Sequence, residues 1–386
     1  MMRPNTRGDK VSSQIKRILI VGAGMAGLTL AIALRRQGIT ADIVERQPAW
    51  PVHGAGIYLL GNAMRALDSL GLAEEVERSG TPILSQTMLN DRGRKFTVID
   101  TTSVWGGCGP CIGIRRADLQ ATLVNALGDL EVRFATTIKA ISQNTQFATV
   151  QFSDGTHREY DLVVGADGIH SSVRKLMFGN TQPRFCGQVG WRFIVNCPKG
   201  ISGWTLFAGS QQVFLLIPVG HGLAYCYADI TVPHAIEDPV EGRLERLRTR
   251  FKGFASPVQE ALSQITSSEQ IHFGAIEDIL QEPWSTGNVL LIGDGAHGTS
   301  PNMASGAAMA FEDALVLARE IATGASSAQV LSNYTDTRIG RIRWLHEQTH
   351  ARDKIRKLPA MVRNLMSRFL AKAVYRKNYL PFLTEI

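Results

Sequence analysis

The chain has 386 residues, 44% hydrophobic and 19% charged, a composition that excludes a disordered or fibrous protein. Five cysteines are too few, and odd in number, for a disulfide framework, and fit a reducing cytoplasm. The net charge of +7 is uneven: residues 338–377 carry +10 and the rest −3, and no nucleic-acid module accompanies the basic segment, so nucleic acid is not an expected partner.

Residues 1–16 are polar and basic and are expected to form a flexible leader. Residues 18–21 (Ile-Leu-Ile-Val) have the pattern of a buried strand. They are too few for a signal-peptide core or a membrane span, and no other run approaches 18 apolar residues. Gly22, Gly24 and Gly27 follow as G-x-G-x-x-G, then an apolar-rich helix over 25–37 stopped by Gly38, then a strand over 41–44 ending at Glu45. Gly22 permits the tight turn, Gly24 lets a pyrophosphate approach the backbone, and Gly27 lets the helix pack close to the strand. Glu45, 18 residues beyond Gly27, can accept hydrogen bonds from ribose hydroxyls. Ala26 and Arg46 adjoin these positions and are counted with them as cofactor contacts. The pattern predicts an adenine dinucleotide without separating FAD from NAD.

Residues 103–120 contain Cys108-Gly-Pro-Cys111, the spacing of a thioredoxin-like redox site. Such a site sets its first cysteine at a helix N-terminus. Here the next helix is expected only near Ala117, so the stretch is better explained as a loop and strand passing close to the cofactor. Farther on, residues 148–152 and 157–160 form an expected hairpin. A buried strand over 162–166 enters Asp167-Gly168, followed by Ser171 and Arg174. Residues 184–280 hold strand-like runs separated by Gly/Pro turns, with Tyr225 and Tyr227 alternating about Cys226 and hence on one face. A third buried strand ends at Gly293-Asp294, and a small-residue helix is expected from Gly306 through Glu312, Asp313 and Arg319. Strands that deliver Asp to their C-terminal ends mark the ligand edge of an open α/β sheet. Asp294 can bind a ribityl hydroxyl, and the amides around Ser305–Ala307 can face the electron-rich end of an isoalloxazine. The histidines show no coherent cluster, so no metal is expected.

The ordered motifs G-x-G-x-x-G…E, G-A-D-G-x-x-S-x-x-R and G-D-x-A-H-x-x-x-P…G-A-x-x-A-x-E-D-A resemble the single-component FAD-dependent aromatic monooxygenases, the p-hydroxybenzoate hydroxylase-like family. The similarity spans roughly residues 17–340 and includes 54–72, 114–123 and the Trp191-Arg192 pair. It implies an α/β class: a Rossmann-like FAD-binding domain (17–183 and 281–340), an inserted, mostly antiparallel substrate sheet (184–280) and a C-terminal helical segment (341–386). It implies FAD contacts at Gly22, Gly24, Ala26, Gly27, Glu45, Arg46, Arg116, Asp167, Gly168, Gly293, Asp294, Gly306 and Ala307. It further implies NADPH or NADH as donor, and hydroxylation of a small aromatic or heteroaromatic compound by O2 through a flavin hydroperoxide. The chain departs from the family's Gly-Gln-Gly at Ala304-Ser305-Gly306, where Ala304 has less freedom to adopt a positive φ.

Tyr58, Tyr225 and His297 are pocket candidates, each also explicable as a structural side chain. Two other readings are a disulfide oxidoreductase using Cys108 and Cys111 and a non-enzymatic FAD-binding protein. The basic C-terminal segment is either a solvated helical face or a weak membrane-surface contact. The protein is expected to be a monomer or homodimer.

Overall fold

The computed structural model describes residues 15–50, 55–356, 358 and 360–386, so residues 1–14 of the expected leader and Gly54 lie outside the described residues. Ile18–Val21 is apolar throughout and buried, which suits a central parallel strand covered on both faces. It lies in a six-stranded sheet ordered Ser285–Thr286, Val289–Leu291, Leu162–Gly165, Ile18–Val21, Asp42–Val44 and Val132–Arg133. All pairings are parallel except that of the edge strand Ser285–Thr286. Gly22, Glu45, Ala166 and Ile292 therefore leave the sheet along one edge. There Gly22 N donates to Val44 O, Ala166 N to Val21 O and Ile292 N to Gly165 O at 2.8–3.0 Å.

The helix Met25–Arg36 packs against the long helix Gly306–Ala322. The expected hairpin forms and gains a third strand, Ile138–Gln143.

A seven-stranded sheet roofs this edge, ordered His272–Asp278, Arg184–Asn196, Leu223–Thr231, Gln212–Pro218, Trp204–Ala208, Ser85–Asn90 and Lys95–Asp100. Its last two strands come from outside the 184–280 stretch: Ser85–Asn90 runs parallel to Trp204–Ala208. They are joined by a turn in which Gly93 has φ +82° and Asn90 Oδ1 accepts from Arg94 N. One face of the roof buries Phe193, Phe214 and Cys226 against the helices Arg243–Phe251 and Ser256–Ser263. The other face looks down on the dinucleotide edge. At the C-terminus, Ser327–Arg356 lies against Gly306–Ala322, and Ala360–Tyr379 packs on the roof strand Lys95–Asp100. Among the described residues no helix is long and apolar enough to cross a membrane.

Candidate active site

The strand-to-helix turn at the N-terminus is built as its glycines require. Gly22 sits at φ +102°, and a Cβ there would meet Ala166 O at 2.6 Å. A Cβ on Gly27 would meet Gly22 O at 1.9 Å, so only glycine lets the helix approach the strand. A Cβ on Gly24 would meet nothing within 4 Å, because that position opens into a cavity of about 1040 Å³. Glu45 is pinned at the cavity rim: Oε2 accepts from Ala23 N and Oε1 from Gln47 N, both at 2.9 Å.

The two Asp-Gly motifs meet the same cavity from neighbouring strands. Asp167 caps the helix Ser172–Met177, accepting from Ser172 N at 2.6 Å, Ser172 Oγ at 2.7 Å and the Ser171 hydroxyl. Arg174, buried, donates to Ile169 O at 2.5 Å and Gly295 O at 2.8 Å, tying the first Asp-Gly loop to the second. Asp294 presents its carboxyl to the cavity beside Gly306. The surrounding protein partly desolvates that carboxyl, which stays open to the cavity, and pushes it above its usual range, with His297 and Arg116 opposing. No side chain caps the helix Gly306–Ala322, whose first amides and partial positive charge reach the cavity at Gly306 and Ala307. Ser305 Oγ instead donates to Met303 O at 2.9 Å. Ala304 adopts φ +50°, the left-handed conformation that glycine accepts more easily.

Gly22, Gly24, Ala26, Glu45, Arg46, Arg116, Asp167, Gly168, Asp294, Gly306 and Ala307 all line the cavity. Gly27 and Gly293 do not, since they act at the backbone beneath it. Tyr58, Tyr225 and Tyr227 line it too. Burial raises the Tyr58 phenol well above its ordinary range and pushes Tyr225 and Tyr227 up to about 12. Tyr58 accepts from Gln86 Nε2 at 3.2 Å. The guanidinium of Arg192 stands over the Tyr227 ring at 5.5 Å, yet the buried Tyr227 hydroxyl has no protein partner among the described residues.

His297 is the correction: it faces the core, not the cavity. Its Nε2 donates to Asp313 at 2.7 Å, and Asp313 also accepts from Gly293 N at 2.8 Å and Arg338 Nε at 2.8 Å. The histidine holds the loop from behind.

The residues fit FAD: an open glycine cradle, a carboxylate at the end of the second strand, a second Asp beside an uncapped helix, and an aromatic roof. The cavity lies at the upper end of the ~300–1,000 Å³ of ordinary ligand pockets. Residues 16–349 match the family model described as FAD binding domain. The aurachin C monooxygenase/isomerase of Stigmatella aurantiaca is 33% identical over 331 residues, 84% of this chain and 85% of its own. The 2-heptyl-3-hydroxy-4(1H)-quinolone synthase of Pseudomonas aeruginosa is 31% identical over 86% of this chain and 87% of its own. Klebsiella pneumoniae HpxO, solved with FAD and uric acid, superposes with a TM-score of 0.87 at 26% identity, covering 94% of this chain and 96% of its own.

The chain belongs to the FAD-dependent aromatic monooxygenases.

That membership supports the monooxygenase reading and not the disulfide alternative, and the local geometry of the thiols agrees with it. In this monooxygenase Cys108 follows the short helix Thr102–Trp105 and Cys111 precedes the strand Ile112–Arg115, so neither thiol starts a helix. Both are free, and burial raises both, Cys111 up to about 12, which leaves them protonated and unreactive at neutral pH.

The basic segment is partly structural. Arg338 and Arg341 pair with Glu312, Arg343 with Glu282, and Arg356 with Asp229. Lys357 and the side chain of Arg363 lie outside the described residues.

Sequence reasoning missed Gln86, Met88 and Tyr375 as cavity residues. The Asn-Asp-Arg-Gly-Arg turn at 90–94 between two alternating runs was an available hairpin signal.

Proposed function

We propose that this FAD-dependent monooxygenase hydroxylates a small aromatic or heteroaromatic compound held between the dinucleotide cradle and the Tyr225–Tyr227 face of the roof, with NADPH or NADH as donor. One observation carries this reading: the cradle and the roof line a single cavity. Bound FAD supplies acceptance of hydride from the nicotinamide and activation of O2. The protein supplies the rest. Gly22, Gly24, Ala26 and Arg46 take the pyrophosphate side, Glu45 the ribose, and Asp294 the ribityl chain. Arg116, Asp167 and Gly168 flank the cofactor, and the amides of Gly306 and Ala307 face the ring. The partnerless Tyr227 hydroxyl donates to the polar group of the substrate. The tyrosines stay protonated at neutral pH, so they orient the substrate as hydrogen-bond donors and are not its base. The buried roof excludes water from the reacting ring.

The purified protein should bind FAD, and the matching aromatic should stimulate NAD(P)H consumption and yield a product one oxygen heavier. Stable FAD binding with no donor able to reduce it would favour the non-enzymatic reading. A Cys108→Ser/Cys111→Ser variant should hydroxylate within about twofold of wild type. A weak membrane-surface contact would fall to the exposed Arg368, Lys372, Arg376 and Lys377. Salt-sensitive co-sedimentation with anionic vesicles tests it.

A further inference from the structure

The cavity-facing side of the roof changes character across its strands. Register sets Arg192 opposite Tyr227, Tyr227 opposite Leu215, Leu215 opposite Leu206, and Leu206 opposite Met88. One continuous row thus passes from cation and phenol to three apolar side chains, all of the latter on the cavity. The rows on either side behave likewise: Ile217 lies opposite Tyr225, and Val213 opposite Ala208 and Asp229. The three strand spacings from Tyr227 to Met88 span about 14 Å. Beyond them the C-terminal helix Ala360–Tyr379 closes the cavity with Met366, Leu370 and Val374.

Polar groups at this far end are largely engaged with one another. The Gln86 amide donates to the Tyr58 and Tyr375 hydroxyls at 3.2 and 3.3 Å. The Arg352 guanidinium donates to Asn302 O at 2.7 Å and stacks on Tyr379. A ring system substituted with polar groups along its length would be desolvated here with few partners, which is costly. An apolar chain would not. Leu370 is 49% exposed and Val374 37%, so the apolar lining continues to the surface at this helix.

We propose that the substrate is an aromatic compound carrying a flexible apolar tail, with its polar ring under Tyr225 and Tyr227 and its tail laid along Leu215, Leu206 and Met88 toward Leu370 and Val374. The proposal rests on the cavity being the substrate pocket of a hydroxylase. It adds that affinity is set by tail length.

The test is equilibrium binding to the FAD-loaded protein without electron donor, read as perturbation of the flavin absorbance, using 2-alkyl-4-quinolones from methyl to nonyl as probes. Kd should fall about three- to fourfold per added methylene until the tail reaches the helix. In Leu206→Asn the ratio of methyl to nonyl Kd should collapse by tenfold or more. Leu370→Gln, at a half-exposed position that does not endanger folding, should cut the ratio only for the longest tails. A ratio near one in wild type, or unchanged ratios in both variants, overturns the proposal. Because binding is read without turnover, a steep series that never stimulates NAD(P)H consumption would sink the hydroxylase reading and leave the tail site standing. Full turnover of tail-less aromatics with a flat series would do the reverse.

Discussion

Gly24 and Gly27 sit three residues apart and serve opposite ends. At Gly27 a methyl group would collide with Gly22 O, so Gly27→Ala should destabilise the fold by ~3 kcal/mol and lower the unfolding midpoint even without FAD. At Gly24 a side chain has room in the protein and would occupy only ligand space. Gly24→Val should therefore keep the midpoint of the FAD-free protein while weakening FAD binding at least tenfold by fluorescence titration. Ala304 offers the converse case. Its left-handed backbone costs a non-glycine residue ~1 kcal/mol, so Ala304→Gly should leave stability unchanged or raise it by up to about 1 kcal/mol in urea unfolding. Single-residue detail of this kind was legible wherever a backbone constraint spoke for it: the three glycines, Glu45 and the odd alanine. His297 was not, because a motif position does not say which way a side chain points, and here the Asp313 carboxylate turns it inward. His346 shows the same limit. It is buried, donates from Nε2 to His297 O at 3.2 Å, and burial pushes it down to about 4, with that hydrogen bond opposing the shift. The unfolded chain takes up that proton near pH ~6.5 and the folded protein only near 4. The contribution is thus whole above ~6.5 and is lost as pH falls toward 4. Between pH 7 and 5 the wild type should lose about 2 kcal/mol through this group, and His346→Gln should lose correspondingly less, read from urea midpoints.

Between elements, the long helix Gly306–Ala322 is held by a buried charge network. Arg338 reaches Glu312 at 2.6 Å and Asp313 at 2.8 Å, Asn62 donates to Glu312 at 2.9 Å, and Asp313 grips the Gly293 amide. His297 and Arg338, with the Gly293 amide, hold the Asp313 carboxyl well below the usual carboxylate range against the effect of its burial. Removing Arg338 takes the shared partner from two core carboxylates, leaving Glu312 to Arg341 and Asn62 and Asp313 to His297 and the Gly293 amide. Arg338→Met should cost ~3–5 kcal/mol in chemical unfolding and loosen FAD, because the loop carrying Asp294 is anchored through Asp313. Adding Glu312→Gln should recover part of the loss. The strands and helices of the dinucleotide half were legible because continuous apolar runs ending in Gly or Asp have few alternatives. The roof was legible as a sheet but not in its full extent. Ser85–Asn90 joins it by a parallel pairing across more than a hundred residues of chain, which no local pattern encodes. The closing wall escaped for another reason. The C-terminal helix looked like a basic, solvated surface, yet Tyr375 on it is buried and takes the Trp105 indole N–H at 2.9 Å.

Over the whole molecule, function follows from two sheets meeting at one cavity. The parallel sheet brings its C-terminal edge, with Glu45, Asp167 and Asp294, and the roof brings an aromatic face that grades into an apolar one. The C-terminal cations that looked like a uniform charged surface divide into those that lock the helices and those left on the exterior. The central claim is that oxygen from O2 is transferred to an aromatic ring enclosed between these sheets. It is tested most directly by single-turnover reaction of the donor-reduced, FAD-loaded protein with a stimulating aromatic under 18O2, with the product mass measured. The account predicts one atom of 18O in the aromatic product and none from labelled water. Recovery of the aromatic unchanged, with all reducing equivalents released as hydrogen peroxide for every aromatic that stimulates NAD(P)H consumption, would contradict it.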